Sequence, residues 1–309
     1  MRRLLLWMAS NNWMRRNIPR LWFAKRAVRK FMPGESAEDA LAAAAKFRDE
    51  QGLATLFTRL GENVTRAEQH EEAANHYAWL IEEIHRRGIR GEASVKLTHL
   101  AMDMSDADMH RHMDRLCGTA LASGGQVVWI DMEGSDYTDK TLAEYSRLKQ
   151  KYPNVGICLQ AYLHRTAADV EALLPLGPKI RLVKGAYKES PQIAWQKRRD
   201  VDASYLALCV ALLTHLRDGR DVFLGMGTHD VKLIEQVAAA ASSLGLSRDS
   251  FDVEMLYGIR ADEQKRLKAL GYNVRVLIAY GDYWFPWYMR RMAERPANVL
   301  FALRQILPW

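Results

Sequence analysis

The chain has few cysteines, and they form no pattern. Cys117, Cys158 and Cys209 are odd in number and far apart among 309 residues, which gives no disulfide framework and points to a reducing compartment. Neither Cys-x-x-Cys nor His-Glu-x-x-His occurs, so the usual zinc-holding motifs are excluded. The "MHRHM" of 109–113 lacks companion ligands and reads as a helix with two ordinary histidines; no structural metal is expected. No stretch is apolar over the length needed to span a bilayer, and "LLLWMA" near the start is short for a signal-peptide core. Internal repeats, low-complexity tracts and Pro/Gly-rich linkers are also missing.

Acid is absent from residues 1–34, which hold nine Lys and Arg: Arg2, Arg3, Arg15, Arg16, Arg20, Lys25, Arg26, Arg29 and Lys30. The whole chain carries +7, so removing those nine leaves −2 for residues 35–309. The basicity is local, and a body built to coat nucleic acid is disfavoured. Met14, Ile18, Leu21, Trp22, Val28 and Met32 recur at helical spacing with arginines between them. Two readings stay open: a helix packed on the body with a basic outer face, or a helix lying on an anionic membrane surface, where Trp and Arg suit the interface. An organelle presequence fits less well, because the arm has a single serine.

With 49% hydrophobic and 26% charged residues the chain can bury a large core. An Ala-rich helix is predicted over 35–50. Short apolar segments then follow at 52–58, 93–98, 126–132, 155–161, 179–185, 221–227, 251–256 and 273–279. Helical patterns over 65–87, 106–122, 138–150, 165–174, 201–217, 230–242 and 261–269 separate them. Such alternation predicts a (β/α)8 TIM-type barrel, residues 51–309, behind an N-terminal helical arm, residues 1–50. An open Rossmann sheet should show Gly-x-Gly-x-x-Gly after its first strand, and "LGENVT" (60–65) does not supply it. "GMGTHD" (225–230) comes after the sixth strand.

In a barrel the working residues gather at the C-terminal strand ends. There the sequence places Lys96, Asp131, Gln160, Arg181 with Lys184, and Thr228 with His229. Any one has a dull explanation as a rim charge, but five strands ending in polar groups ask for pairing or use. The helix "YMRRMAERPAN" (288–298) sets Arg290 beside Arg291, with Glu294 within a turn of both and Pro296 to end it.

The ordered set "SVKLTHL" (94–100), "VWIDMEGS" (128–135), "GICLQAYLHRT" (156–166), "IRLVKGAY" (180–187), "GTHD" (227–230), "MLYGI" (255–259) and "YMRRMAERPAN" resembles the FAD-dependent proline dehydrogenase family, from about residue 52 to about 300. The resemblance implies a distorted (β/α)8 barrel that binds FAD and oxidises L-proline to Δ1-pyrroline-5-carboxylate in proline catabolism, passing electrons to quinone. It implies that Arg290, Arg291 and Lys96 hold the substrate carboxylate. Asp131 stands beside Lys96 and Arg181 against the flavin N5 edge, these two being the catalytic pair. Tyr187, Leu277 and Trp287 would line the substrate. Met132, Gln160, Lys184, Gly185, Ala186, Thr228 and His229, with Arg181, would hold FAD. A family tyrosine is replaced by Leu277 in "RVLIAYG", and another by Trp287. A larger or substituted ring (hydroxyproline, a methylated proline, pipecolate) is the alternative those two changes open. Quinone as acceptor would give the basic arm a peripheral membrane role in an otherwise cytoplasmic protein. The competing readings are a flavin barrel of the methylenetetrahydrofolate reductase type and a non-catalytic barrel whose arm docks to membrane or RNA.

Overall fold

The structure, a computed structural model, describes residue 5 and residues 7–9, 11–61 and 66–294. Eight parallel strands close in chain order: β1 (Ala54–Arg59), β2 (Gly91–Val95), β3 (Val128–Ile130), β4 (Val155–Gln160), β5 (Lys179–Val183), β6 (Phe223–Gly227), β7 (Asp252–Leu256) and β8 (Asn273–Tyr280). The seam between β8 and β1 is the longest ladder, from Ala54 opposite Arg275 to Arg59 opposite Tyr280. Before the first strand come α1 (Asn12–Asn17), α2 (Trp22–Val28) and the longer α3 (Ala37–Gln51). The ring is completed by α4 (Ala67–Arg86), α5 (Asp106–Ala122), α6 (Thr138–Lys149), α7 (Thr166–Leu173), α8 (Arg198–Arg217), α9 (Val231–Ser243), α10 (Ala261–Ala269) and α11 (Trp284–Glu294).

Each element follows from its residues. In α4 the buried positions Ala73, Ala74, Tyr77, Ala78, Leu80, Ile81 and Ile84 recur every three or four residues, the apolar stripe that a helix lays on a sheet. A reciprocal capping box between Ser36 and Asp39 starts α3, and Gly52 in the left-handed region stops it and turns the chain into β1. Every residue of β4 is buried, as expected for a strand covered on both faces. Side chains alternate along a strand, so Glu92, Ser94, Trp129, Asp131, Cys158, Arg181, Glu254 and Arg275 meet inside the barrel. Room for the Trp129 indole comes from Gly156, where a Cβ would stand 2.6 Å from the ring.

The arm departs from the single helix its periodicity suggested. It breaks at a 3-10 turn, Ile18–Arg20, after which Leu21 is extended. Pro19 is the physical reason: it lacks an N–H to donate and suits the first turn of a helix rather than its middle. Downstream of the break, Ala24, Ala27, Val28, Phe31 and Met32 pack with Trp284, Phe285, Tyr288, Met289 and Met292 in a second apolar cluster. Glu35 pins this corner, accepting from the Trp284 indole at 3.0 Å while its carbonyl accepts from the Gly281 N–H at 2.9 Å. Trp13 and Trp22 lie on the other side, 69% and 71% exposed. No described helix is long and apolar enough to cross a membrane.

Candidate functional site

The centre of the barrel is an arginine surrounded by acid. Arg181, on β5, is buried and donates through Nη2 to Ser94 Oγ at 2.7 Å and to Asp131 Oδ1. The Ser94 hydroxyl donates to the same carboxylate oxygen at 2.7 Å. Lys96 Nζ donates to Asp131 Oδ2 at 3.0 Å. Behind Arg181, Glu254 Oε2 lies 3.7 Å from Nη1, and the guanidinium carbon sits 5.4 Å from the Trp129 ring centroid. Three strands deliver the front of this group: β2 carries Ser94 and leads into Lys96, β3 leads into Asp131, whose N–H donates to Val95 O at 2.8 Å, and β5 carries Arg181.

Burial alone would push the Asp131 carboxyl up, but Lys96, Arg181 and the Ser94 hydroxyl outweigh it and hold it below the ordinary carboxylate range. Burial would likewise lower Lys96, and the charge of Asp131, with smaller help from Tyr187 and Tyr77, raises it instead. Both therefore stay ionised. Lys96 keeps about a quarter of its side chain exposed, so the barrel mouth presents a fixed ammonium flanked by a fixed carboxylate. Such a pair can hold a small anion that also carries a cationic nitrogen.

Gln160, at the end of β4, donates to the carbonyls of Met132 (3.4 Å) and Glu133 (3.2 Å), which fixes its amide orientation. Its Oε1 is buried with no hydrogen-bond partner among the described residues, an acceptor left for a ligand N–H. Beyond β5, Gly185 has φ +114, and a Cβ there would run into the Tyr162 ring, so only glycine allows this approach of backbone to a ring. Ala186 and Tyr187 follow, both exposed. Lys184 Nζ pairs with Asp202 and, at 3.0 Å, with Asp230. Buried Thr228 Oγ1 accepts from the Asp230 N–H at 3.1 Å, and His229 beside it is partly exposed. The orphaned acceptor fits the flavin that the resemblance implies. The cations fit it less freely, since Lys184 already answers two carboxylates.

Leu277 lies on β8 between Leu56 and Leu256 in the ladder and is partly exposed. Trp287 and Arg291 sit on α11, both partly exposed, Trp287 against the second apolar cluster. The side chains of Arg290 and Glu294 lie outside the described residues, so the expected Arg–Glu pairing does too. Lys96, Asp131 and Arg181 form one bonded group, and Gln160 with Met132 forms another. Lys184, Thr228 and Asp230 form a third.

Three contributors were not singled out from the sequence. Ser94 and Glu254 are mid-strand, and attention to strand ends passes over them. A signal existed in "FDVEML", where Asp252 and Glu254 at i and i+2 both face the interior of an otherwise apolar strand. Glu133 is the third: its carboxylate accepts from the Thr98 N–H (3.3 Å) and hydroxyl (2.9 Å), and burial holds its carboxyl above the ordinary value.

A closed parallel barrel with an ionised, bonded group at its C-terminal mouth defines a TIM-type barrel enzyme. The family model described as proline dehydrogenase matches residues 40–304. Proline dehydrogenase 2 of Bacillus subtilis (strain 168) is 34% identical over 285 residues, 92% of this chain and 92% of that protein. The proline dehydrogenase of Deinococcus radiodurans is 35% identical over 283 residues, 90% of this chain and 89% of its own. The chain belongs to the proline dehydrogenase family. Among solved structures, proline utilization A from Bdellovibrio bacteriovorus, inactivated by N-propargylglycine, superposes with a TM-score of 0.79 at 20% identity, covering 94% of this chain and 38% of that one. Proline utilization A from Corynebacterium freiburgense gives 0.75 at 19% identity, covering 99% and 34%. The chain spans about a third of the length of those structures, and the likeness to them is one of fold.

Proposed function

We propose that the chain is a flavin-dependent proline dehydrogenase that oxidises L-proline to Δ1-pyrroline-5-carboxylate in proline catabolism and passes the electrons to quinone. The observation that carries the reading is the Lys96–Asp131–Ser94–Arg181 group at the mouth of a barrel of this family. Bound FAD supplies the hydride acceptor for the carbon next to the ring nitrogen. Lys96, joined by Arg290 and Arg291, holds the substrate carboxylate. Asp131 keeps Lys96 charged and fixed. Arg181 places a buried positive charge where negative charge develops, at no cost of reorganisation. Gln160, Met132, Gly185, Ala186, Lys184, Thr228 and His229 cradle the cofactor, while Tyr187, Leu277 and Trp287 form the walls around the ring.

The secondary ammonium of proline must lose a proton before hydride can leave. Asp131 is a poor acceptor, since its carboxyl is held low by the cations around it. Leu277 supports a second reading of the substrate: a leucine among leucines leaves more room and less polarity than a phenol, which suits a larger or substituted ring. The exposed Trp13 and Trp22 among basic residues support a peripheral membrane contact through residues 1–34, on the cytoplasmic face where quinone is reached.

The test is the visible spectrum of the purified protein during anaerobic addition of L-proline, trans-4-hydroxy-L-proline and NADH in turn. Bleaching by L-proline is expected. Bleaching by NADH alone would replace this reading with a reductase, and a colourless protein that takes up no flavin would end it.

A further inference from the structure

Among the described residues four carboxylates face the interior of the barrel (Glu92, Asp131, Asp252 and Glu254), and the cations that form ion pairs with them are three: Lys96, Arg181 and Arg275. Lys179, at the foot of β5, is a fourth interior cation that acts on Glu92 by its charge, with no ion pair between them among the described residues. Asp131 is bonded by Ser94, Lys96 and Arg181, and Glu92 by the Trp129 indole at 2.7 Å and by Arg275 at 3.1 Å. Asp252 accepts from Arg275 Nε. Glu254 alone of the four has neither oxygen in a hydrogen bond among the described residues, and it is 4% exposed. Its cavity is made by Gly225, whose missing Cβ would stand 2.5 Å from Glu254 Oε1. The other three carboxylates are held ionised by hydrogen bonds, so Glu254, which lacks them, is the one that retains a proton most readily.

Resting on the reading above, in which Arg181 faces the flavin, we propose that Glu254 is a positioning residue that acts through Arg181, its protonation setting how much positive charge that guanidinium presents to the cofactor. While Glu254 is neutral, Arg181 answers only Asp131, and its remaining field stabilises a reduced, negatively charged ring. Once Glu254 ionises, it draws on Arg181 from behind, and the reduced ring loses part of that support. The coupling is reciprocal, so reducing the flavin favours uptake of one proton by Glu254. No bond to substrate changes in this step; a proton moves between solvent and a carboxyl. The charged groups that act on Glu254 are Arg181, beyond β6 on β5, Arg275 on β8, Glu92 on β2 and Asp252 on its own strand; the Tyr205 phenol, on α8, feels its charge, and Gly225, on β6, brings none. Burial, opposed by Arg181 and Arg275 and reinforced by Asp252 and Glu92, pushes this carboxyl up to about 7, where a change in ambient pH moves it.

The experiment is a spectroelectrochemical titration of the FAD-loaded enzyme from pH 6 to 9 for the wild type, Glu254→Gln and Arg181→Met. The wild type and Glu254→Gln should share one midpoint potential at pH 6. The wild type should then fall progressively below the variant as pH rises through 7, and the gap should level off by pH 9. A gap of zero, or one constant across the range, overturns the role of Glu254. Arg181→Met, which removes the charge, separates the two readings: if its potential equals that of the wild type throughout, Arg181 does not face the flavin and the parent reading fails at that point. If it shifts while Glu254→Gln does not, only the present inference falls. Glu254→Met, which removes the ionisable group and keeps its volume, gives the same comparison should the glutamine variant not fold.

Discussion

In the barrel, Trp129 is buried beside Arg181 and each interior carboxylate lies within reach of a cation. In the arm, Trp13 and Trp22 are displayed among Arg16, Arg20, Arg26 and Arg29, all exposed. The same residue types serve opposite ends. Out of water, a charge is kept only with a partner and then acts strongly, because the surrounding dielectric is low. At the surface, charge and indole cost little to hold and contribute little to the fold, so their placement speaks of what they meet outside. Substitutions in the two regions should therefore behave in opposite ways.

The largest effect is expected at Asp131. Asp131→Ala leaves Lys96 without its partner and Arg181 with the Ser94 hydroxyl and a 3.7 Å contact to Glu254 as its remaining polar neighbours. A loss of about 3–5 kcal/mol in unfolding free energy, read by denaturant titration, should accompany loss of proline oxidation. An unchanged stability would show that the interior charges are not coupled as described.

Glu254 gives the next effect, and its sign follows from linkage. A carboxyl near 7 when folded, against 4.5 as its ordinary value, binds its proton more tightly in the folded chain. Its contribution is full below about pH 4.5 and is lost as pH rises through 7. Between pH 5 and pH 8.5 the wild type should lose about 3 kcal/mol that Glu254→Gln retains, seen as a melting temperature that falls further with pH in the wild type. Parallel curves would place the excess proton elsewhere in the barrel.

A smaller change is expected from Leu277→Tyr. The ratio of kcat/KM for L-proline over hydroxyproline should rise by roughly tenfold or less, about 1 kcal/mol, the usual scale for reshaping an apolar wall. A ratio that falls would assign this position the opposite influence on ring size. Least of all should the fold notice the arm's outer face: Trp13→Ala with Trp22→Ala should alter stability by no more than about 0.5 kcal/mol, while binding to anionic vesicles is lost. Vesicle binding that survives the double substitution would leave those indoles without a membrane role.

The contrast between the regions also explains what the sequence made legible. Strand and helix positions in the barrel followed from apolar periodicity, because each element packs one face on a neighbour and repeats accordingly. The C-terminal residues Lys96, Asp131, Gln160 and Arg181 stood out as polar groups ending apolar strands, and the structure joins the first two with Arg181. Ser94 and Glu254 did not stand out, since their meaning lies in contacts with residues 37 and 73 positions away, which no local pattern encodes. The arm was legible in composition but not in shape. Its helical spacing continues across Pro19, and the break there is a matter of one missing N–H, to which periodicity is blind.

The claim on which the account turns is that the charged mouth of the barrel grips an imino acid's carboxylate. Anaerobic titration of the flavin-loaded Lys96→Met variant with L-proline tests it most directly, with flavin bleaching as the readout. Half-saturation should require roughly a hundredfold more proline, about 2.7 kcal/mol, with the oxidised spectrum unaltered. Half-saturation at the wild-type concentration would contradict the account.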